Sequence, residues 1–348
     1  MNRSRTRLAL IATVAASAVA LSACAGDAES TSNGSDEDRS LIVYSGRDES
    51  LIGPIIEKFE EESGIEVKVR YANSIEMAAQ LLEEGERTPA QVFLSQEAGA
   101  LGELANADLL APLPEEITGA VDPQYSAADD SWVALTGRAR VLLYDSESVS
   151  EDEVPSDVHA LTEPEWQGRV GFAPTNASFQ SFVTAMRVLE GEDVAEEWLT
   201  GMIDNDTEVF DRNGPIVEAV NTGALDVGLV NHYYWVVAAA EAGGPESMRA
   251  QLKFGEPGTV SALVNVTGAG VLASAEDSDE AQEFVEYLVS EQAQEHFVEE
   301  AGEYSLLPDG PSPADVPSLD ELDGPDLDFS ELADLDGTLE LLQKVGLL

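Results

Sequence analysis

From residue 41 onward, the apolar positions of the chain switch between two periods. "LIVYS" (41–45) is a short apolar run that fits a buried strand. In "ESLIGPIIEKFEEESG", Leu51, Ile52, Ile55, Ile56 and Phe59 share one helical face, and Gly64 stops the helix. "IEVKVRY" (65–71) alternates as a half-buried strand. "NSIEMAAQLLEEG" predicts a helix with Asn73 as N-cap and Glu76 three residues on. "QVFLS" (91–95) is a third strand. Repeated strand–helix units predict a mostly parallel sheet covered by helices on both faces.

A second series follows the long extended stretch "SWVALTGRARVLLYD" (131–145). It contains "RVGFAP" (169–174), helices around 178–190 and 194–203, "TEVF", a helix at 215–222, and "LDVGLVN". "TVSALVNVTGAGVL" (259–272) is again long and extended, with helices over 278–300 behind it. A Pro/Asp-rich acidic segment then precedes a final amphipathic helix ending "LELLQKVGLL". Two long extended stretches around one α/β block predict a chain that builds one lobe, leaves it, builds a second and returns. The expected boundaries are 41–133 with 262–348 for the first lobe and 134–261 for the second.

The N-terminus adds a destination. Arg3, Arg5 and Arg7 precede the apolar run "LALIATVAASAVALSA", too short and Ala-rich for a spanning helix. It ends in "LSAC", which resembles the bacterial lipobox, so residues 1–23 are expected to be a signal peptide. Cys24, the only cysteine, is then the lipidation site, and residues 24–40 a disordered polar tether. The mature protein is expected on the outer face of a cytoplasmic membrane, held by acyl chains. One cysteine leaves no disulfide framework and no thiolate metal site.

Charge narrows the partners. The chain carries 68 acidic and 17 basic residues, a formal net charge of −51. Losing the signal removes three arginines and no acid, which leaves −54. Such a surface excludes nucleic acid and simple adhesion to anionic lipid. It fits a saline exterior, or an acid coat that serves only solubility. Enzyme signatures are missing from the sequence. It has no Gly-rich phosphate loop and no G-x-S-x-G, and His159, His232 and His296 stand isolated. No enzymatic activity is expected.

One stretch does carry chemistry. "LDVGLVNHYYW" sets Tyr233 and Tyr234 side by side where a strand runs out. Adjacent residues of a strand face apart, but at a turn into a helix two neighbours can point into one cleft. From the residues alone, a packed aromatic cluster with Trp235 is the competing explanation.

In order along the chain, "LIVYSGRDE", "EEGERTPAQVFLSQEAGAL", "LLAPLP", "WVALTGRARVLLYD", "GFAPTNASF", "RNGPIVEAVNTGALDVGLVNHYYW" and "SALVNVTGAGVL" resemble the ferric-ion-binding proteins of bacterial ABC importers. The likeness spans about residues 41 to 310. It implies a type II periplasmic-binding-protein fold, two α/β lobes joined by two hinge strands. It also implies that Tyr233 and Tyr234 are ligands of iron(III), a hard cation that prefers anionic oxygen. A tyrosine ordinarily titrates near 10, so only a strong cation deprotonates it at neutral pH.

Other positions depart from the family pattern. A histidine or tyrosine expected after the first strand is replaced by Asp48 and Glu49, and a glutamate expected after the third strand by Gln96, with Glu97 beside it. Asp48, Glu49 and Gln96 are the candidate remaining metal ligands, or plain loop residues of an acidic chain. The resemblance further implies a synergistic anion, phosphate or carbonate, on Asn176, Ala177, Ser178, Asn213 and Asn231. Arg138 is a further candidate for this anion. Arg138 and Arg140 either reach the cleft or form hinge salt bridges; the sequence does not separate the two. The implied role is a monomeric receptor handing iron(III) to an ABC permease. A receptor of the same superfamily for a phosphonate, a polyamine or another oxyanion is the alternative.

Overall fold

The computed structural model describes residues 39–348. The expected signal peptide, Cys24 and nearly all of the tether lie outside the described residues. The first strand β1 (Ser40–Ser45) leads into α1 (Glu49–Ser63). Ile52, Ile55, Ile56 and Phe59 are buried along one face of α1. Gly64 ends the helix in the left-handed region (φ 72°), its N–H donating to Glu60 O. After β2 (Glu66–Tyr71), α2 (Ser74–Glu84) starts on an Asn73 cap that accepts the Glu76 N–H at 2.8 Å. β3 (Val92–Ser95), α3 (Ala98–Asn106) and the short α4 (Glu115–Thr118) follow.

The extended stretch expected at 131–145 is β4 (Val133–Asp145), buried along its whole length. The second block comprises β5 (Val170–Phe172), α5 (Ala177–Glu190), α6 (Glu192–Asp204), β6 (Glu208–Val209) and α7 (Asn213–Asn221). It closes with β7 (Val227–Asn231), α8 (His232–Ala242) and β8 (Ala250–Phe254). β9 (Val264–Val271) returns, followed by α9 (Asp279–Leu288), α10 (Glu291–Ala301), β10 (Tyr304–Ser305) and α11 (Leu335–Val345).

Pairing follows the order β2-β1-β3-β9-β4-β7-β5-β6, with β10 and β8 also on β4. The outer strands are parallel, as strand–helix repeats require. The crossing strands add antiparallel neighbours, so each half is mixed. β4 is shared: Val133–Ala139 pair with β9, and Arg140–Asp145 pair with β7 and β8. This division of one strand between two sheets makes the fold two-lobed. The second expected crossing is shorter than the sequence suggested. Val260–Ala262 form a turn started by Thr259, whose hydroxyl accepts the Ser261 N–H, and only residues from Val264 are strand. The helices expected over 278–300 are α9 and α10, with Ser290 capping the second by accepting the Ala293 N–H at 3.3 Å.

Candidate functional site

The loops at the ends of β1, β3 and β7 and the starts of α5 and α7 meet near the point where β4 changes sheets. Gly46, after β1, lies so close to α2 that a Cβ would come within 2.2 Å of Ser74 Oγ. That hydroxyl in turn accepts the Gln96 N–H at 2.8 Å, tying the β1 and β3 loops together.

Tyr233 and Tyr234 open α8, directly after β7. Their rings stack at 4.2 Å between centroids and 28° between planes. Tyr233 is buried and Tyr234 half-buried. Burial, helped by the neighbouring Tyr234 phenol, holds the Tyr233 hydroxyl well above the ordinary phenol range, and the nearby Arg138 guanidinium opposes this. Tyr233 is therefore a neutral phenol in the free protein. Their flanks are structural. Trp235 donates from Nε1 to Ala250 O at 2.7 Å in the core. His232 is fully buried, accepts the Ala139 N–H at 3.1 Å on Nδ1 and stacks on Tyr304. Burial pushes His232 down to about 3, so it stays neutral.

Both tyrosines face a cleft of about 600 Å³ whose opposite wall holds Asp48, Ser50 and Leu51. Asp48 is the N-cap residue of α1, its carboxylate makes no capping bond, and the residue lines the cleft. Glu49 is exposed as the first residue of α1 and does not line this cleft. Gln96 is half-buried; its carbonyl accepts from Arg138.

The two arginines of β4 are both buried, and their fates differ. Being two apart on a strand, they share one face. Arg138 turns to the first lobe, where Nη1 donates to Glu97 Oε1 at 3.0 Å and Nη2 to Val266 O at 3.2 Å. Asn265 donates to the other Glu97 oxygen at 2.6 Å, so this carboxylate is fully engaged. Although burial opposes it, Glu97 holds the Arg138 guanidinium charged. Arg138, expected at the anion, is thus committed to an ion pair.

Arg140 turns to the second lobe. It donates to Asn231 Oδ1 at 3.3 Å, Ser178 Oγ at 3.5 Å and Leu229 O at 3.2 Å, under the rings of Phe179 and Phe182. No carboxylate pairs with it among the described residues, and burial pushes it down to about 9. It remains a cation at neutral pH. Asn176 caps α5 by accepting from the Ser178 N–H and hydroxyl, and Asn213 donates to Ser178 Oγ at 3.1 Å and to Asn176 Oδ1 at 3.3 Å. Ala177 opens α5, whose first N–H groups lack helical acceptors. Asn213 Oδ1 is buried without a donor. Asn176, Ala177, Ser178, Asn213 and Asn231 thus come together around Arg140, at a helix N-terminus.

A further buried pair was not foreseen. Arg47, after β1, donates to Glu303, before β10, at 2.9 Å, and Thr136 of β4 donates to the same carboxylate at 2.5 Å. Glu303 belongs to no motif, so nothing in the sequence marked it.

Residues 87–329 match the family described as bacterial extracellular solute-binding protein. A major ferric iron-binding protein of Neisseria meningitidis is 34% identical over 88% of this chain and 93% of its own length. An Fe(3+)-binding periplasmic protein of Serratia marcescens is 32% identical over 89% of this chain and 91% of its own. Iron-bound HitA of Pseudomonas aeruginosa superposes with a TM-score of 0.84 at 33% identity, covering 88% of this chain and 99% of that one. The chain belongs to the bacterial extracellular solute-binding protein family. Its relatives are ferric-ion-binding proteins of the type II periplasmic-binding-protein fold, receptors rather than enzymes. Among the described residues no helix is long and apolar enough to cross a membrane.

Proposed function

We propose that this protein is an extracytoplasmic receptor that captures iron(III) for uptake, anchored by lipid on Cys24 and delivering its ion to an ABC permease. The observation that carries the reading is the stacked pair Tyr233 and Tyr234 on one cleft wall, with Asp48 on the other. Two phenolates and a carboxylate supply the anionic oxygens a hard trivalent cation prefers. Glu49 and Gln96 are secondary candidates. A glutamine amide is neutral and a weaker iron(III) donor.

A small anion, phosphate or carbonate, completes the iron's shell from the second lobe in this reading. Arg140, a buried cation with no carboxylate partner among the described residues, supports such an anion more than Arg138 does. The α5 N-terminus adds N–H donors. The orphan Asn213 Oδ1 suits an anion that carries a hydroxyl, such as hydrogenphosphate. The protein works as a monomer, and closure of the lobes on the ion forms the shape a permease recognises.

A second reading has one observation in its favour. The cleft wall also holds Glu218 and Glu241 beside apolar Val217, Val237 and Met248. Carboxylates with aromatic faces suit a polyamine better than a phosphonate or other oxyanion. Ferric citrate added to the purified protein separates the two. Iron–phenolate charge transfer gives a strong visible band, whereas a polyamine receptor stays colourless and is stabilised by the amine instead.

A further inference from the structure

The two sheets are joined by more than the two strand crossings. After β10 the chain runs back across the hinge, where the Tyr304 hydroxyl donates to Pro317 O at 2.9 Å and the Gly258 N–H to Asp323 O at 2.7 Å. A single turn of 3-10 helix, Phe329–Ala333, then packs on α3, and α11 packs on α5 and α6. α3 begins directly after Gln96 and Glu97 in the first lobe, and α5 directly after Asn176 in the second. This C-terminal strap therefore spans one helix of each lobe.

Its two ends are held differently. On α5 the contact is polar and only partly buried: Thr184 and Thr338 hydroxyls meet at 2.7 Å in the interior, and nearer the surface Arg187 donates to Thr338 at 2.9 Å and to the Asp334 carboxylate at 2.8 Å. On α3 the contact is apolar and depends on glycine. Gly99 and Gly102 lie three apart on one helical face. A Cβ on Gly99 would come within 2.4 Å of Leu332 O, and one on Gly102 within 3.1 Å of Ala333 Cβ. Phe329, Leu332 and Leu335 are buried in one core with Leu101 and Leu104 of α3 and Phe182 and Met186 of α5.

Hinge motion that separates α3 from α5 must break one of these contacts, and the apolar one has no hydrogen bonds to hold it. We propose that the Phe329–Ala333 turn is a latch. Docked on α3 it holds the lobes in the arrangement seen here; on opening it leaves α3 and travels with α11 on the second lobe. This inference rests on the two-lobed fold and not on the identity of the ligand.

Small-angle X-ray scattering of the iron-free mature chain, carrying Cys24→Ser, tests it without reference to iron. Gly99→Ala and Leu332→Ala loosen the latch and should increase the radius of gyration, with far-ultraviolet circular dichroism unchanged. Gly102→Cys with Ala333→Cys places two Cβ atoms close to disulfide reach. The oxidised form should be more compact than its own reduced form, and reduction should restore the parent profile. Hydrogen exchange over 326–335 reports whether the turn has left α3. If exchange there rises in the loosened variants while their scattering matches the parent, the latch is refuted. Identical scattering of the oxidised and reduced double-cysteine variant refutes it equally, even if a loosened variant fails to fold.

Discussion

Arg138 and Arg140 are two residues apart on β4, share a face and are both buried, yet replacing them should have opposite effects. Arg138→Met strands Glu97, a residue only 2% exposed, whose carboxylate keeps Asn265 as a donor. Removing one partner of a buried ion pair costs about 3–5 kcal/mol, because the other charge stays buried and uncompensated. Arg140→Met removes a cation that has no carboxylate partner among the described residues and leaves Met against Phe179 and Phe182. Its lost hydrogen bonds to Ser178, Asn231 and Leu229 are offset by relief of the desolvation that pushes Arg140 down to about 9. A change within about 1 kcal/mol follows for the free protein. Thermal unfolding without iron or phosphate should therefore show the Arg138 variant roughly 6–10 °C below the parent and the Arg140 variant close to it. With phosphate added, the parent should gain stability and the Arg140 variant should gain little, since a charged hydrogen bond contributes about 1.5–3 kcal/mol. Equal losses for both variants in the free protein, or an unchanged phosphate response in the Arg140 variant, would refute the assignment.

Three further outcomes follow from the same account. Asp145, buried at the end of β4, is held down to about 2 from an ordinary value near 3.8 by Arg249 hydrogen bonds. Its contribution is present above the unfolded value and is lost as pH falls from about 4 through about 2. Asp145→Asn should cost about 1–2 kcal/mol at pH 7 after allowance for solvent around Arg249, with the gap to the parent closing in acid; urea titrations at several pH values measure it. Cys24→Ser should release the protein from membranes, or leave its precursor uncleaved, without altering ligand binding; cell fractionation decides, and unchanged membrane association contradicts the anchor. With a formal net charge of −51, the melting temperature should rise with NaCl, since 1 M salt screens charges within about 3 Å. A flat response leaves solubility as the reason for the acid coat.

Much of the fold was legible because local chemistry and tertiary packing agree. The Ile52–Phe59 face of α1, the Asn73 cap and the βα alternation each have a single local cause. The division of labour between Arg138 and Arg140 was not legible, since it depends on register. Arg138 stands opposite Asn265 of β9 and Arg140 opposite Asn231 of β7, and the sequence of β4 alone does not choose those neighbours. The Arg47–Glu303 pair joins residues 256 positions apart, with no spacing to announce it. The latch was hidden for another reason. Gly99 and Gly102 read as weak helix formers until Leu332 and Ala333 are seen against them.

The central claim is that iron(III) is held by phenolate oxygen of Tyr233 and Tyr234. Titrating ferric citrate into the protein in weakly buffered solution, with the visible spectrum and the released acid followed together, tests it most directly. The account predicts a charge-transfer band that saturates at one iron per chain, with a proton released for each phenol that becomes a ligand, because Tyr233 holds its proton firmly until a cation displaces it. Both signals should vanish when Tyr233→Phe and Tyr234→Phe are combined in a variant that folds normally. Iron bound as tightly by that double variant, or bound by the parent without band or acid, would make the tyrosines core residues and contradict the account.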